Sequence, residues 1–476
     1  MKTKSLIFFL VLVCYNLLTA QIKVASVIGD NMVLQRNSEV KIWGKATANQ
    51  KLILTSDWNQ AKITTLADEK GNWTAKLKTT EAGGPYRITI ASVKEKLTIR
   101  NILLGEVWLC SGQSNMEMQM AMYADQPVNG ANDELLNATH DDIRFFTVGR
   151  NSDPTPQDTC NGKWSVATAE SVATFSAVGY FYAKQLQQRL HVPVGMICSA
   201  WGGSRIEAWM SKDVVSQFGE AYSQTTKTDT KPQNKAAHLL NGMIEPLVNF
   251  TIKGVIWYQG ESNISNYKDY ANLQAAMVKD WRSRFGRGDF PFYYVQIAPF
   301  WYYKNSAEVA SALQRDEQLK AMALIPNSGM ACTLDIGEEK YIHPAEKQTV
   351  GKRLALWALA ETYKLKGFAY KSPTFKSIQV KDSIAYLSFN DAPHGLSSFG
   401  KRVDCFEIAG TDSVFYSAHL EIKNQQALIS SPNVKSPLAV RYAFCNFPKT
   451  EGYLYNTFGL PVPSFRTDNW DVKYKR

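Results

Sequence analysis

The sequence lacks the signatures of several large classes of protein. Its 476 residues include only six histidines, and it contains no Cys-x-x-Cys pair and no His-rich stretch, so no metal site is predicted. The formal charge of +10 is spread along the chain without a long basic run, which disfavours binding to nucleic acid. Beyond the amino-terminal segment, no apolar run is long enough to span a membrane. We therefore expect a protein without cofactor, nucleic acid partner or membrane span.

The amino-terminal segment has the pattern of an export signal. Lys2 and Lys4 precede an apolar run from Leu6 to Val13, and Thr19-Ala20 offers a small-residue cleavage point. The pattern predicts a signal peptide over residues 1–20 and a secreted or periplasmic mature chain.

Export permits disulfide bonds, but most cysteines lie in apolar surroundings. Cys110, Cys198 and Cys332 are in strand-like apolar runs, which favours buried free thiols. Cys405 and Cys445 are the candidates for a disulfide.

Hydrophobic patterning divides the mature chain into three parts. Residues 21–100 alternate as short β-strands and predict a small β-sandwich, and residues 367–476 return to a β pattern that we expect to pack on the central part. Between them, residues 101–366 alternate strands and helices, which predicts a mostly parallel sheet. The candidate strands of this central part are Glu106–Cys110, Val194–Ser199, Gly254–Tyr258, Phe292–Ile297 and Met330–Asp335, and its candidate helices include Val178–Leu190 and Val350–Tyr363.

Ligands of parallel sheets bind beyond the carboxyl ends of the strands, so the loops there are the first place to look for chemistry. After Cys110 comes Gly112-Gln113-Ser114-Asn115, a tight turn from a strand into a helix that exposes Ser114. The Gly-x-Ser-x-Gly elbow of α/β hydrolases is absent, because Met116 occupies the place of its second glycine. Ser114 is nevertheless a candidate nucleophile.

Three further segments could supply what a serine nucleophile needs. The loop Ala200–Trp209 contains Gly202-Gly203, and the loop after Tyr258 reads Gln259-Gly260-Glu261. Backbone N–H groups of Ser114 and of one of the two glycines, with the Gln259 amide, could stabilise an oxyanion. His343 follows a strand and loop and precedes a helix, which makes it the best candidate base among the histidines.

Four motifs together carry a family resemblance. Gly-Gln-Ser-Asn, Trp-Gly-Gly-Ser-x-Ile-Glu-x-Trp, Trp-Tyr-Gln-Gly-Glu-Ser-Asn and Ile-His-Pro-x-x-Lys occur in this order along the chain. The set resembles the sialate O-acetylesterase family, a branch of the SGNH hydrolases related to the sugar acetylesterases that act on xylan. The resemblance implies an α/β fold with an SGNH, flavodoxin-like core and accessory β domains on both sides. It also implies Ser114 as nucleophile, His343 as base, and Gly203, with Gly202 as its rival, and Gln259 in the oxyanion hole.

The sequence departs from the wider SGNH pattern at the acid. Many of these enzymes place an aspartate three residues before the histidine, where this chain has Lys340. The resemblance favours Glu261 as the acid. Asp335 is the alternative, and Glu338 or Glu339 and a Ser–His dyad without a carboxylate also remain open.

The predicted function is removal of O-acetyl groups from carbohydrates through an acetyl-serine intermediate. O-acetylated sialic acid is the favoured substrate, since Arg205 could bind its carboxylate bidentately or else pair with Glu207. An acetyl xylan esterase or another plant-glycan acetylesterase is the alternative. A non-catalytic carbohydrate-binding protein with a hydrolase-like core is the alternative from a different class.

Overall fold

The structure is a computed structural model that describes residues 21–220, 222, 230–305 and 308–471. The predicted signal peptide, residues 1–20, lies outside the described residues. The chain has an α/β fold with additional β-sheets on both sides of it.

The amino-terminal part is built of short strands with alternating burial. These strands are β1 Lys23–Val24, β2 Val33–Gln35, β3 Glu39–Lys45, β4 Lys51–Ser56, β5 Lys62–Leu66, β6 Asn72–Lys78 and β7 Gly83–Ala91. Strands β1, β3 and β6 form one sheet, whereas β2, β4, β5 and β7 join a larger one. Alternate side chains of β3, β4, β6 and β7 point into one shared hydrophobic cluster.

The central part alternates strands and helices, as its patterning predicts. Its strands are β8 Lys96–Gly112, β9 His140–Thr147, β10 Trp164–Ala167, β11 Val194–Ala200, β12 Gly254–Tyr258, β13 Phe292–Val295 and β14 Ser328–Ala331. Its α-helices are α1 Ser114–Glu117, α2 Ala131–Leu136, α3 Ala169–Ala173, α4 Ala177–Leu190, α5 Lys212–Ser216, α6 Tyr270–Phe285, α7 Ala310–Leu324 and α8 Lys347–Trp357. Short 3-10 or π turns span Ile206–Trp209, Pro232–Asn234, Leu240–Ile244, Glu245–Leu247, Glu261–Asp269, Tyr302–Lys304, Leu334–Ile336 and Ala358–Thr362.

Strand β8 is the centre of the molecule. It pairs in parallel with β11 on one side and β12 on the other, and residues 102–112 are buried throughout, as expected of a strand covered on both faces. The main path of the sheet runs β10-β9-β11-β8-β12-β13-β14. The sheet as a whole is mixed, because β10 is antiparallel to β9 and β7 is antiparallel to the first half of β8. The same strand thus links the amino-terminal strands to the central sheet across residue 100.

The carboxy-terminal part consists of antiparallel strands around its own hydrophobic cluster. They are β15 Thr374–Lys381, β16 Ile384–Asn390, β17 Leu396–Ser397, β18 Phe406–Ala409, β19 Phe415–Ser417, β20 His419–Lys423, β21 Gln426–Ser430, β22 Ala439–Tyr442, β23 Tyr455–Asn456 and β24 Phe465–Arg466. The fully buried Arg315 of α7 donates to the Ser464 hydroxyl at 3.0 Å and to the Cys445 carbonyl at 2.6 Å. This guanidinium ties the carboxy-terminal part to the central helices.

The disulfide suggested for Cys405 and Cys445 is wrong, because both residues are free thiols in the structure. Burial raises the pKa of Cys405 to about 12 and that of Cys445 to about 11. Formation of a disulfide starts from a thiolate, which these surroundings disfavour.

Most of the predicted elements have somewhat different bounds in the structure, and two of these differences flank the loop that contains His343. Strand β14 ends at Ala331 rather than at Asp335, because the chain turns at Thr333, whose hydroxyl donates to the Gln296 carbonyl at 2.6 Å. The last helix of the central part begins at Lys347 instead of Val350. Within the described ranges, none of the helices is long and apolar enough to cross a membrane.

Candidate functional site

The three polar loops singled out in the sequence begin at neighbouring points of one sheet edge. Gly112 at the end of β8 is in register with Ala200 of β11 and with Tyr258 of β12. Because the three strands are parallel, their carboxyl ends lie side by side. The pairing register therefore brings the Ser114 turn, the Gly202-Gly203 loop and the Gln259 loop together.

The turn after β8 depends on a glycine and presents Ser114. Gly112 has a φ of +134°, and a Cβ there would lie 2.1 Å from the Tyr258 carbonyl oxygen, so a larger residue does not fit. The next residue, Gln113, donates its N–H to the same carbonyl at 3.0 Å. Ser114 then begins α1, and its hydroxyl has no hydrogen-bond partner among the described residues. A hydroxyl without a protein partner is available to a substrate.

The two glycines of the second loop differ in what their N–H groups do. Gly202 lies against the Ser114 turn, where an added Cβ would be 3.3 Å from the Ser114 Cβ, and its N–H donates to Glu117 Oε2 at 2.8 Å. Gly203 has a φ of +71°, and its N–H has no acceptor within the described part of the chain. Of the two, Gly203 has the uncommitted donor.

Gln259 is fully buried and braces the second loop against the third. Its Nε2 donates to the Ser204 carbonyl at 3.1 Å and to Asn263 Oδ1 at 2.8 Å, and its Oε1 accepts from the Tyr270 hydroxyl at 2.7 Å. Both amide hydrogens are thus engaged with protein acceptors. The role of Gln259 as an oxyanion donor stays a prediction.

His343 lies half-buried in the loop that leads into α8. The Tyr123 ring stands edge-on to its imidazole, with 5.4 Å between the ring centroids. Burial lowers the pKa of His343, and the nearby positive charge of Lys347 lowers it further, to about 4. The imidazole therefore stays neutral at weakly acidic and neutral pH, which is the protonation state that a general base requires.

Asn115 joins the Ser114 turn to the loop that contains His343. Its Nδ2 donates to the Ile342 carbonyl at 3.0 Å, so the residue after Ser114 is bonded to the residue before His343. The structure contains no direct hydrogen bond between the Ser114 hydroxyl and the His343 ring. Catalytic hydrogen bonds are often longer in an unliganded enzyme than in its complexes, so this geometry is compatible with a Ser–His pair.

None of the four candidate carboxylates makes a hydrogen bond to His343 in the described structure. Glu261 is buried, accepts from Asn115 Nδ2 at 2.6 Å through Oε1, and leaves Oε2 without a partner. Burial raises the pKa of the Glu261 carboxyl, and the hydrogen bond from Asn115 and the charge of Lys347 partly offset that effect. The other three have partners of their own: Asp335 pairs with Arg353, Glu338 accepts from the Ala345 N–H and Glu339 pairs with Lys449.

Asp335 has the contacts of a structural residue. Both of its carboxylate oxygens accept from the Arg353 guanidinium at 2.7 Å, and both side chains are about nine-tenths buried. This bidentate pair joins the start of the histidine loop to α8.

We expect Asp335→Asn to lower the free energy of unfolding by about 3 kcal/mol, because breaking a buried ion pair leaves the partner charge uncompensated. The kcat of the folded enzyme should change little. Urea unfolding and ester hydrolysis measured on one preparation check both points. Asp404→Asn is the matched control, since Asp404 pairs with the exposed Arg402 and exposed ion pairs contribute little to stability. A large loss of kcat with unchanged stability would instead make Asp335 the acid.

Arg205 lies in the second loop with a half-buried side chain. Glu207, its expected ion-pair partner, instead accepts from Asn263 Nδ2 and Asn266 Nδ2, each at 2.9 Å. The Arg205 guanidinium has neither an ion pair nor a hydrogen bond among the described residues, so it can bind an anionic group of a ligand.

A second arginine, Arg150, lies close to the Ser114 turn. Arg150 pairs with Glu117 Oε1 at 2.6 Å, and its guanidinium is 5.6 Å from the centroid of the Trp201 ring. Because Glu117 also accepts the Gly202 N–H, this ion pair holds the second loop near Ser114.

Sequence reasoning missed three residues that organise the site: Asn115, Glu117 and Lys347. Asn115 and Lys347 lie within the quoted motifs Gly-Gln-Ser-Asn and Ile-His-Pro-x-x-Lys, and that position was the only signal available. Their roles depend on which partners they meet, and those partners are far away in the sequence. In residues 21–220, 222, 230–305 and 308–471, no group of three or more His, Cys, Asp or Glu residues is arranged to hold a metal ion.

Comparison with known proteins shows similarity of this chain to carbohydrate esterases. A family model described as a carbohydrate esterase, sialic acid-specific acetylesterase, matches residues 104–360. The chain is similar to the sialate O-acetylesterase of Homo sapiens, with 32% identity over 75% of this chain and 74% of the human one. It is 28% identical to the sialate O-acetylesterase of Mus musculus over 93% of both chains.

The fold is similar to that of a solved carbohydrate acetylesterase from Xanthomonas citri. The TM-score is 0.86 with 34% identity, and the match covers 94% of this chain and all of the other. The similarity extends over the amino-terminal, central and carboxy-terminal parts alike.

Proposed function

The chain belongs to the carbohydrate esterase family of sialic acid-specific acetylesterases, and on this basis we propose that it is a serine esterase that removes O-acetyl groups from carbohydrates through an acetyl-serine intermediate. One observation carries the assignment of the site to this chemistry. The in-register ends of β8, β11 and β12 bring Ser114 beside Gly202-Gly203, and Asn115 connects this turn to the loop of His343.

The proposed reaction follows the logic of serine hydrolases. Ser114 Oγ attacks the acetyl carbonyl carbon while His343 takes the hydroxyl proton. The bond between the carbonyl carbon and the sugar oxygen then breaks, and His343 returns the proton to that oxygen. A water molecule, deprotonated by His343, next attacks the acetyl carbon of the acetyl-serine. The bond between that carbon and Ser114 Oγ then breaks, His343 returns the proton to Oγ, and acetate leaves.

We place the oxyanion of both tetrahedral intermediates near the N–H groups of Ser114 and Gly203. The free N–H of Gly203 supports this choice over Gly202, whose N–H is engaged with Glu117. Gln259 remains the proposed third donor. To donate to the oxyanion, its amide would have to give up one of the two protein acceptors that it now contacts. Each such donor contributes about 3 kcal/mol to the stabilisation of the transition state.

Glu261 remains our proposed acidic residue, in an indirect role. Its contact with Asn115, which in turn holds the Ile342 carbonyl, supports orientation of the His343 loop rather than direct contact with the imidazole. The pairing of the alternative, Asp335, with Arg353 supports a structural role for that residue.

The proposal extends to the parts of the chain around the site. We propose that the central part is an SGNH-type core within residues 101–366, flanked by accessory β domains over residues 21–100 and 367–476. We further propose that residues 1–20 are an export signal, so that the enzyme meets its substrate outside the cytoplasm.

O-acetylated sialic acid is the proposed substrate, and acetylated xylan is the alternative. The relatives from Homo sapiens and Mus musculus are named as sialate O-acetylesterases, whereas the relative of known structure is a carbohydrate acetylesterase. The unpaired Arg205 supports a substrate that carries a carboxylate.

Acetate release from the two substrates tests this proposal. We expect a higher kcat/KM on O-acetylated N-acetylneuraminic acid than on acetylated xylan oligosaccharides. Arg205→Met should raise KM for the sialic acid by about tenfold or more, because a charge-assisted hydrogen bond contributes about 1.5–3 kcal/mol. Hydrolysis of the uncharged xylan fragments should be unaffected, and Arg189→Met, which changes an exposed arginine of α4, is the control. Equal losses on both substrates would argue against carboxylate binding by Arg205.

A further inference from the structure

A buried lysine lies behind the Ser114 turn and has no role in the reaction steps proposed for Ser114 and His343. Lys347 is the first residue of α8 and only 1% exposed. It makes no ion pair with a carboxylate of the described residues. Its Nζ instead donates to Asn115 Oδ1 at 2.5 Å and lies 5.7 Å from the centroid of the Tyr258 ring. A buried ammonium is costly, so a lysine at this position needs a reason.

Asn115 connects this lysine to the catalytic loops. The Asn115 side chain is 1% exposed, with Oδ1 towards Lys347 and Nδ2 towards Glu261 Oε1 at 2.6 Å and the Ile342 carbonyl at 3.0 Å. An ammonium can only donate, whereas a carboxylate and a carbonyl can only accept. The chemistry of its neighbours therefore permits a single orientation of the amide.

We propose that Lys347 is a positioning residue that, through Asn115, holds the His343 loop in place relative to the Ser114 turn. The inference rests on the proposed function, because it needs Ser114 and His343 to be the reacting pair. Lys347 itself touches neither the substrate nor the reacting atoms.

Charged and aromatic groups surround Lys347. Lys347 faces the carboxylates of Glu261 and Glu338, the imidazole of His343 and the ring of Tyr258. Burial lowers the pKa of the Lys347 amine to about 7, while the two carboxylates act in the opposite direction. Below that pH the amine is charged and disfavours protonation of His343.

Without Lys347, Asn115 Oδ1 loses its only donor among the described residues, and the buried Glu261 loses a compensating charge. An unsatisfied buried carbonyl oxygen is costly, so the Asn115 side chain is drawn towards another donor, which weakens its hydrogen bond to the Ile342 carbonyl and displaces the His343 loop. A shift of about 1 Å in a catalytic group can reduce the rate by about a hundredfold.

The test compares Lys347→Met with Lys352→Met in the full chain. Lys352 is an exposed lysine on the same helix and serves as the matched control. We expect Lys347→Met to lower kcat on 4-nitrophenyl acetate by about 10–100-fold, with little change in KM, whereas Lys352→Met should behave like wild type. The acid limb of kcat/KM should move to higher pH in Lys347→Met, because a positive charge beside His343 has been removed. A lysine that only supported the fold would lower the unfolding temperature without lowering the kcat of the folded protein.

A second variant covers the case in which Lys347→Met fails to fold. Lys347→Met combined with Glu261→Gln removes the ammonium together with the buried carboxylate beside it, so it should unfold at a higher temperature than Lys347→Met alone. Its kcat should nevertheless be lower than that of Glu261→Gln alone, because the Asn115 amide still lacks a donor for Oδ1. Full wild-type kcat and an unmoved acid limb in a folded variant would overturn the inference. If Ser114→Ala kept full activity, the proposed function itself would fail, so the two failures are distinguishable.

Discussion

Replacement of Ser114 with alanine is expected to lower kcat for 4-nitrophenyl acetate and for O-acetylated sugars by at least about 10³-fold, because the loss of a serine nucleophile removes the covalent pathway. The Ser114 hydroxyl has no hydrogen-bond partner among the described residues, so its loss should cost little stability. The variant should therefore fold and still bind the sugar. Acetate release and thermal unfolding, measured on the same preparation, check these expectations.

Ser216→Ala is the control for this experiment, since Ser216 is exposed on α5. Mass spectrometry of wild type mixed rapidly with 4-nitrophenyl acetate should detect an acetyl group on the peptide that contains Ser114. Unchanged hydrolysis by Ser114→Ala would contradict the mechanism. Binding of glycans without any hydrolysis by wild type would favour the non-catalytic carbohydrate-binding alternative.

The position of the Ser114 turn could be predicted because local sequence determines it. Strand β12 occupies the predicted residues Gly254–Tyr258, and β11 extends the predicted Val194–Ser199 by one residue. Such runs are buried on both faces, so their apolar character is continuous and their ends are marked by polar or glycine residues. Once three such strands lie in register, the loops that follow them must be neighbours.

The acid could not be predicted, because carboxylates on several loops satisfy the same local rules. Asp335 and Glu261 both follow buried strands, yet one is bound by Arg353 and the other by Asn115. Which partner each carboxylate meets depends on the packing of α8 and α1, and these helices are more than 200 residues apart in the sequence. The role of Lys347 could not be predicted for the same reason, because its partner Asn115 is far away in the sequence. A lysine considered without its partners is expected to be exposed.

Replacement of His343 with glutamine is expected to lower kcat/KM by about 10³-fold or more, because the base and the proton donor to the leaving group are lost together. Glutamine retains a polar group of similar length, and His343 makes no hydrogen bond in the described structure that the change would break. His419→Gln changes an exposed histidine of the carboxy-terminal part and is the control. Activity of His343→Gln close to that of wild type would exclude His343 as the base.

The pH profile of wild type gives an independent measure of the same residue. A general base works in its unprotonated form, so activity should fall as the pH drops through the pKa of His343. That pKa is lowered to about 4 by burial and by the charge of Lys347. With the uncharged substrate 4-nitrophenyl acetate, kcat/KM should therefore stay on its plateau at pH 5.5, where a histidine with an unperturbed pKa of about 6.5 would be mostly protonated. Circular dichroism at each pH separates loss of the base from acid unfolding. An acid limb near pH 6.5 in folded protein would mean that the pKa of His343 is not lowered, and it would contradict a buried imidazole beside the charge of Lys347.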